Sequence, residues 1–400
     1  MSSARRGGAL RALVISGAIA FAVAYGGCVA YEATLRTELD ALRAELNAEG
    51  AALDLQAFAE TLERGDPRTG EFLEAGPEAR LYDPAKRAAL EARVAALGPL
   101  DLRGELEQAQ ARTDVEEGAF PTLDLPIANY MQLVNAITGE ILGTAMASVS
   151  EGQEERFALA VRVIELMPGY GTLLTYQVRS TAEIELLNQL ETVFGLLPKE
   201  MDLTVVETHL AELTPRARLE RAYEGERAYG FTLLAQGGQE VLPDLPFGQD
   251  LQRLQLELSY LEAMRECFEL IRLEWPEFQR RTGGAGGRGS LASSAQAIQA
   301  LVPRTEDQLS TALELEARRD LALAALVARR EGHAGAIAFL AQRRDPFTGA
   351  PYSAEVGADG FLRLASAGPD TVLANGEWSA SREDSVDDPR WLLAPEASGE

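Results

Sequence analysis

The stretch Ile127–Val149, IANYMQLVNAITGEILGTAMASV, decides the fold. Apolar residues return every three or four places, and Ala136, Gly139, Gly143 and Ala147 put small side chains on one stripe. That period belongs to a helix, because residues three and four apart share a helical face. The pattern continues to Gln236, with Phe157, Val161 and Ile164 repeating it. It predicts helices near 127–150, 153–167, 172–195, 203–213 and 216–235. The breaks are Glu151-Gly152, Pro168-Gly169, the Leu197-Pro198 region and Thr214-Pro215. Short breaks make neighbouring helices antiparallel. No fixed repeat period emerges, so the expectation is a repeat-like antiparallel stack rather than a repeat array.

Downstream, residues 237–250, GGQEVLPDLPFGQD, read as a loop, and Asp250 caps a helix expected to reach Gln279. Its apolar side carries Leu254, Leu256, Leu258, Leu261, Met264, Phe268 and Ile271. A helical domain is therefore expected over 127–280. The glycine-rich run around Gly283–Gly289 places a flexible linker over 281–304. Helix resumes over about 305–331, with LELEARRDLALAALVARR (Leu313–Arg330) as its strongest part. A change of character follows: Pro351–Val356 and Gly360–Ala365 alternate as short strands around Gly357-Ala358-Asp359, a hairpin signal. The expected module is helix plus hairpin over 305–370, followed by a mobile acidic tail over 371–400.

Upstream, Asp83-Pro84 starts a helix to Leu97, a second covers Leu102–Arg112, and residues 66–126 form a helical linker region. Residues 32–65 read as one helix, ended by Gly65-Asp66-Pro67. Leu35, Leu39, Leu42, Leu46 and Leu53 follow steps of four and three, with Glu49 at one seam position. This predicts either a self-associating coiled-coil stalk or an amphipathic helix packed on its own domain. Before it lies the uncharged run Ala12–Tyr31, which includes Leu13, Val14, Ile15, Ile19, Phe21, Val23, Tyr25 and Tyr31. As a helix it spans roughly 30 Å, the thickness of a bilayer core. Arg5, Arg6 and Arg11 precede it, and Glu32, Glu38 and Asp40 follow. The positive-inside rule leaves residues 1–11 in the cytoplasm and exports the rest, so residues 1–31 are the cytoplasmic tip and membrane anchor. Cleavage after Ala22-Val23-Ala24 and lipidation at Cys28 are alternative fates. A retained anchor is preferred because the apolar run continues past both sites. The expected location is a bacterial cytoplasmic membrane, spanned once, with the bulk of the chain on its periplasmic or external side.

Composition narrows the function. The chain has 400 residues, 46% of them hydrophobic, enough for a packed core. Its 62 acids against 37 bases give a net charge of -25, which argues against nucleic acid as a partner. Lysine occurs only at positions 86 and 199, so the cations are nearly all arginine. Cys28 and Cys267 make no disulfide framework, and Cys267 reads as a buried apolar residue. His209 and His333 are far apart and read as structural or surface residues. Gly284, Gly286 and Gly289 match G-x-G-x-x-G, yet a polar helix end rather than a strand enters the motif, so it reads as linker. The sequence contains no Walker A loop, G-x-S-x-G elbow or H-E-x-x-H pair. Asp384, Asp387 and Asp388 read as a solvated acidic cluster. No catalytic, cofactor-binding or metal-ligating set is identified.

Two motifs carry a resemblance. DPFTGAPY (Asp345–Tyr352), a turn, then DGFLRLASAGPD (Asp359–Asp370) resemble the C-terminal signature of major type II secretion pseudopilins. Together with LERAYEGERAYGF (Leu219–Phe231) and the N-terminal anchor, they are also similar to a group of uncharacterised membrane-anchored helical proteins from planctomycetes and other high-GC bacteria. The resemblance covers about 127–236 and 305–370 and implies a terminal hairpin on a helical body. In pseudopilins the loop after the hairpin binds calcium. Asp370 is the matched acid, while TVLANGEWSAS replaces the glycine-rich loop. The residues before the apolar run, ARRGGALRAL, lack the prepilin cleavage site, so the chain is not read as a pseudopilin.

The expectation is a mainly α protein: an N-terminal transmembrane helix and stalk, an antiparallel repeat-like helical stack, and a small C-terminal β-hairpin module. The expected role is a non-catalytic scaffold bound to the membrane through its N-terminal helix and to a protein partner or to itself. An accessory part of a secretion or pilus-like envelope machine is the second reading, and an unrecognised envelope enzyme is the third.

Overall fold

A computed structural model describes residues 29–76, 84–115, 123–147, 152–241, 249–283, 302–369 and 389–395. Local chemistry sets the element ends. Helix α1 covers residues 29–48 and stops where Gly50 takes φ 79°. Asp54 then caps α2 (Leu55–Glu60) by accepting from the Ala57 N–H at 2.7 Å. Asp66 caps α3 (Pro67–Glu74) from the Arg68 N–H, with proline in the first turn. Helices α4 (Pro84–Ala95), α5 (Leu102–Val115), α6 (Ile127–Met146) and α7 (Gln153–Leu166) follow. Thr172 and Thr175 form a reciprocal cap for α8 (Leu173–Val193). Then come α9 (Thr204–Glu212), α10 (Pro215–Val241), α11 (Gln249–Ile271), α12 (Trp275–Thr282) and α13 (Thr305–Ala341). Gly332 (φ 79°, ψ 178°) kinks α13.

Three antiparallel strands close the chain: β1 (Ser353–Val356), β2 (Leu362–Ala365) and β3 (Arg390–Leu393), in that spatial order. Ser353 faces Ala365 across β1–β2, and Leu364 faces Trp391 across β2–β3. Gly360 supplies the left-handed residue of the β1–β2 turn. The protein is thus mainly helical with one small sheet.

The principal layers are α6 against α7 and α8, α10 against α8, α11 and α13, and the sheet against α13. One continuous core joins Leu35 and Leu39 of α1, Tyr130 and Ile137 of α6, Tyr176 and Leu190 of α8, Leu313 and Leu321 of α13, and Leu364 and Trp391 of the sheet. A second cluster packs Leu55 and Phe58 of α2 with Leu102 and Leu106 of α5 and Ala228 of α10. Each fully buried leucine or phenylalanine is worth about 1.5–3 kcal/mol relative to its exposed state.

Several expectations need correction. The single helix over 32–65 is two helices, because Gly50 breaks it. Of the two readings of its leucine pattern, the structure carries packing on the chain's own domain. Leu35, Leu39, Leu42, Leu46 and Leu53 are all buried in the main core, and Arg43 and Glu45 between them contact Phe231 of α10 and Glu257 and Arg265 of α11. Helix α3 falls in the helical linker region, before the first helix expected there. The helix expected to reach Gln279 ends at Ile271, and Pro276 belongs to the first turn of the separate α12. Helix α13 shares one core with the described helices of 127–280. The acidic tail contributes β3, whose Trp391 is buried against Phe194 at 5.2 Å. Anchor residues Leu13–Tyr25, the topology arginines Arg5, Arg6 and Arg11, the glycine motif at 284–289 and the acids Asp370, Asp384, Asp387 and Asp388 lie outside the described residues. Among the described residues no helix is long and apolar enough to cross a membrane.

Candidate functional site

The motif LERAYEGERAYGF lies in the middle of α10 and faces three helices. Leu219, Ala222, Tyr223 and Ala228 are buried at helical spacing. Gly225 passes so close to Gly171 that a Cβ would fall inside its carbonyl oxygen. Gly171 itself holds φ 116° against Leu102. Gly230 makes room for Tyr260, whose hydroxyl donates to the Glu226 carbonyl at 2.8 Å. The Glu226 carboxylate accepts from the Leu173 N–H at the start of α8, and burial holds its pKa above the usual carboxylate value. Arg227 lies over the Phe268 ring at 4.7 Å, and Arg221 lies over Phe58 at 5.0 Å while donating to Thr61. Arg43 over Phe231 and Arg93 over Phe72 repeat the contact. A planar guanidinium stacks on a ring face better than an ammonium does, which gives the arginine bias a structural use. The motif is therefore the place where α2, α8 and α11 are fastened to α10.

A buried charge network lies on the other side of α8. Glu183 Oε1 accepts from Arg179 Nε at 3.0 Å and Arg218 Nη1 at 2.7 Å, and His209 Nε2 stands 3.8 Å away. Arg179 also donates to the Met167 carbonyl at 2.9 Å, closing the C-terminal end of α7. His209 Nδ1 lies 3.3 Å from Glu165 Oε1, and this imidazole holds the Glu165 carboxyl below its usual pKa. Glu183 Oε2 and His209 Nε2 have no hydrogen-bond partner among the described residues. With two guanidiniums on one oxygen, Glu183 joins α8 to α10, with His209 of α9 beside it.

The DPFTG motif resolves into a third fastening. Asp345 accepts from the Phe347 N–H at 2.9 Å, the Ser366 hydroxyl at 3.1 Å and the Ala367 N–H at 2.7 Å. One carboxylate thereby closes its own turn and holds the end of β2. Phe347 is buried against Trp275 at 5.7 Å, edge to face. Trp275 Nε1 and Gln279 Nε2 both donate to the Pro369 carbonyl, at 2.9 and 3.0 Å. Tyr352 donates to Asp320 Oδ2 at 3.2 Å, and Arg319 and Arg343 hold the other oxygen of Asp320.

The residues singled out by sequence do not converge. Cys267 is buried as expected, accepts from Thr305 Oγ1 at 3.4 Å, and has its thiol pushed up to about 11 by burial. His209 belongs to the Glu183 network, and His333 Nε2 lies 3.0 Å from the Ala394 carbonyl beside β3. Glu207, next to His209 in sequence, instead pairs with Arg330. No group of three or more potential metal ligands exists among the described residues. Sequence reading missed Glu183, Arg179, Arg218 and Asp320. Their signal was a charge on an apolar helix stripe, as where Arg179 and Glu183 alternate with Tyr176, Leu186 and Leu187. Compared with known proteins, the chain matches no family model, no curated protein and no solved structure.

Proposed function

We propose that the chain is an exported helical scaffold, anchored in a bacterial cytoplasmic membrane by Ala12–Tyr31, whose folded body binds another protein or a second copy of itself. The observation that supports this reading is the junction at α1. The apolar run leads directly into a helix whose leucines, from Leu35 onward, are part of the body's core. The buried carboxylates in the described residues serve as fastenings, and the chemistry they make is cohesion. A reporter at the C-terminus tests placement: an export-dependent enzyme fused there is expected to be active, and a cytosolic signal overturns the reading. Pull-down from detergent extracts tests the role, and a strictly monomeric protein without partners overturns it.

A second reading is favoured by one observation, the Asp345 turn and its β1–β2 hairpin, formed by the residues that carry the pseudopilin resemblance. On that reading the protein is an accessory part of a secretion or pilus-like envelope machine. Co-purification with envelope secretion components is then expected, and it fails if the partner set is unrelated to them.

A further inference from the structure

We propose that the folded body stands directly on the bilayer, with the first turns of α1 and the neighbouring ends of α10 and α11 against lipid and the β-sheet at the membrane-distal end. This rests on the anchoring reading above. The first argument is the length of the junction. Val29 and Tyr31 are 48% and 47% exposed on the first described turn of α1, and Leu35, one turn later, is 4% exposed. Four helical residues rise about 6 Å, which leaves no room for a stalk between the apolar run and the body. A tyrosine at the end of an apolar run also suits the headgroup layer. Glu32, which follows it, is paired with Arg36 at 2.6 Å.

The second argument is direction. Arg43 lies over Phe231, which sets the middle of α1 beside α10. Tyr260 bonds the Glu226 carbonyl, and Arg272 pairs with Glu220, so α10 runs antiparallel to α11. Arg43 to Glu257 and Arg265 to Glu45 then set α1 parallel to α11. The lipid-facing start of α1 thus lies at the end of the body where α10 finishes and α11 begins. The opposite end holds the sheet: Arg216 pairs with Glu274, and Trp275 and Gln279 bind Pro369, which follows β2. Helix α11 has 23 residues, about 35 Å of rise, so the sheet is held some 30 Å from the lipid. Its outer face presents Leu392, 53% exposed, with Arg363 and Glu355 beside it in register.

The test uses the full chain in phosphatidylethanolamine–phosphatidylglycerol vesicles. Flotation of the unsubstituted protein comes first. In a Cys28→Ala background, Tyr31→Cys, Glu355→Cys and Leu392→Cys are each labelled with a fluorophore and exposed to lipids carrying a headgroup-level quencher. Cys267 is buried and stays unlabelled. Position 31 is expected to be quenched several-fold more than 355 and 392, which should match each other. Flotation with equal quenching at all three positions, or with position 31 unquenched, overturns this orientation alone. Failure of the unsubstituted chain to float overturns the anchoring reading and this proposal with it.

Discussion

Two of the buried carboxylates that fasten this molecule are satisfied in opposite ways. Glu183, in the helical centre, is held by two guanidiniums from α8 and α10 with His209 nearby. Asp345, under the sheet, is held by two backbone N–H groups and a hydroxyl, all neutral. The first arrangement ties α8 to α10 through charge, and its loss takes the carboxylate away from buried Arg179 and half-buried Arg218. The second ties one turn to one strand, and its loss strands neutral donors. The cost of breaking each therefore differs in size and in reach. Buried charges without partners are far more costly than unpaired amides.

The comparison is broken most severely at Glu183. Glu183→Ala is expected to destabilise the whole protein by about 3–5 kcal/mol, read as a lowered urea midpoint with one transition. If the loss is under about 1 kcal/mol, the network is not a fastening. Gly225→Ala tests close approach in the same centre, free of charge effects. Its Cβ meets the Gly171 carbonyl, so a loss of up to about 3 kcal/mol is expected by the same measurement. Asp345→Ala is expected to cost about 2 kcal/mol. Its mark should be local: faster amide exchange over β1 and β2, with protection in α8 and α10 kept. Equal loss of protection in both regions would show that the sheet is not a separable fastening. The smallest effect belongs to the exposed Asp359–Arg363 pair on the hairpin. The Arg363 hydrogen bond holds the Asp359 carboxyl at about 2, below its ordinary 3.8. A depressed folded pKa gives stability that is present above the ordinary value and lost as pH falls through the folded one. Asp359→Asn should therefore remove a small stability increment at pH 7 and flatten the acid transition between about pH 4 and 2.

Much of this was legible before the structure. Proline and glycine breaks at Gly152, Pro168, Pro198 and Pro215 placed α6–α10 to within a few residues, save that α10 runs on to Val241, because a helix boundary depends on local backbone chemistry. The β1–β2 hairpin followed from Gly357–Gly360 for the same reason. Strand β3 did not, since a four-residue strand in an acidic tail forms only when β2 offers it a partner and Phe194 a ring to pack on.

The sequence by itself determined the helical character, the positions of most helices in the stack and the apolar opening run, because period and turn chemistry are properties of neighbours along the chain. Only the tertiary structure decided where the α1 leucines go, a question on which the heptad pattern was neutral. The same stripe serves a coiled-coil partner or the flanks of α10 and α11, and the choice depends on which apolar surface folding brings within reach. It also decided that Glu183 and Asp345 are fastenings, since a carboxylate's role is set by which donors surround it, and those donors arrive from elements tens of residues away.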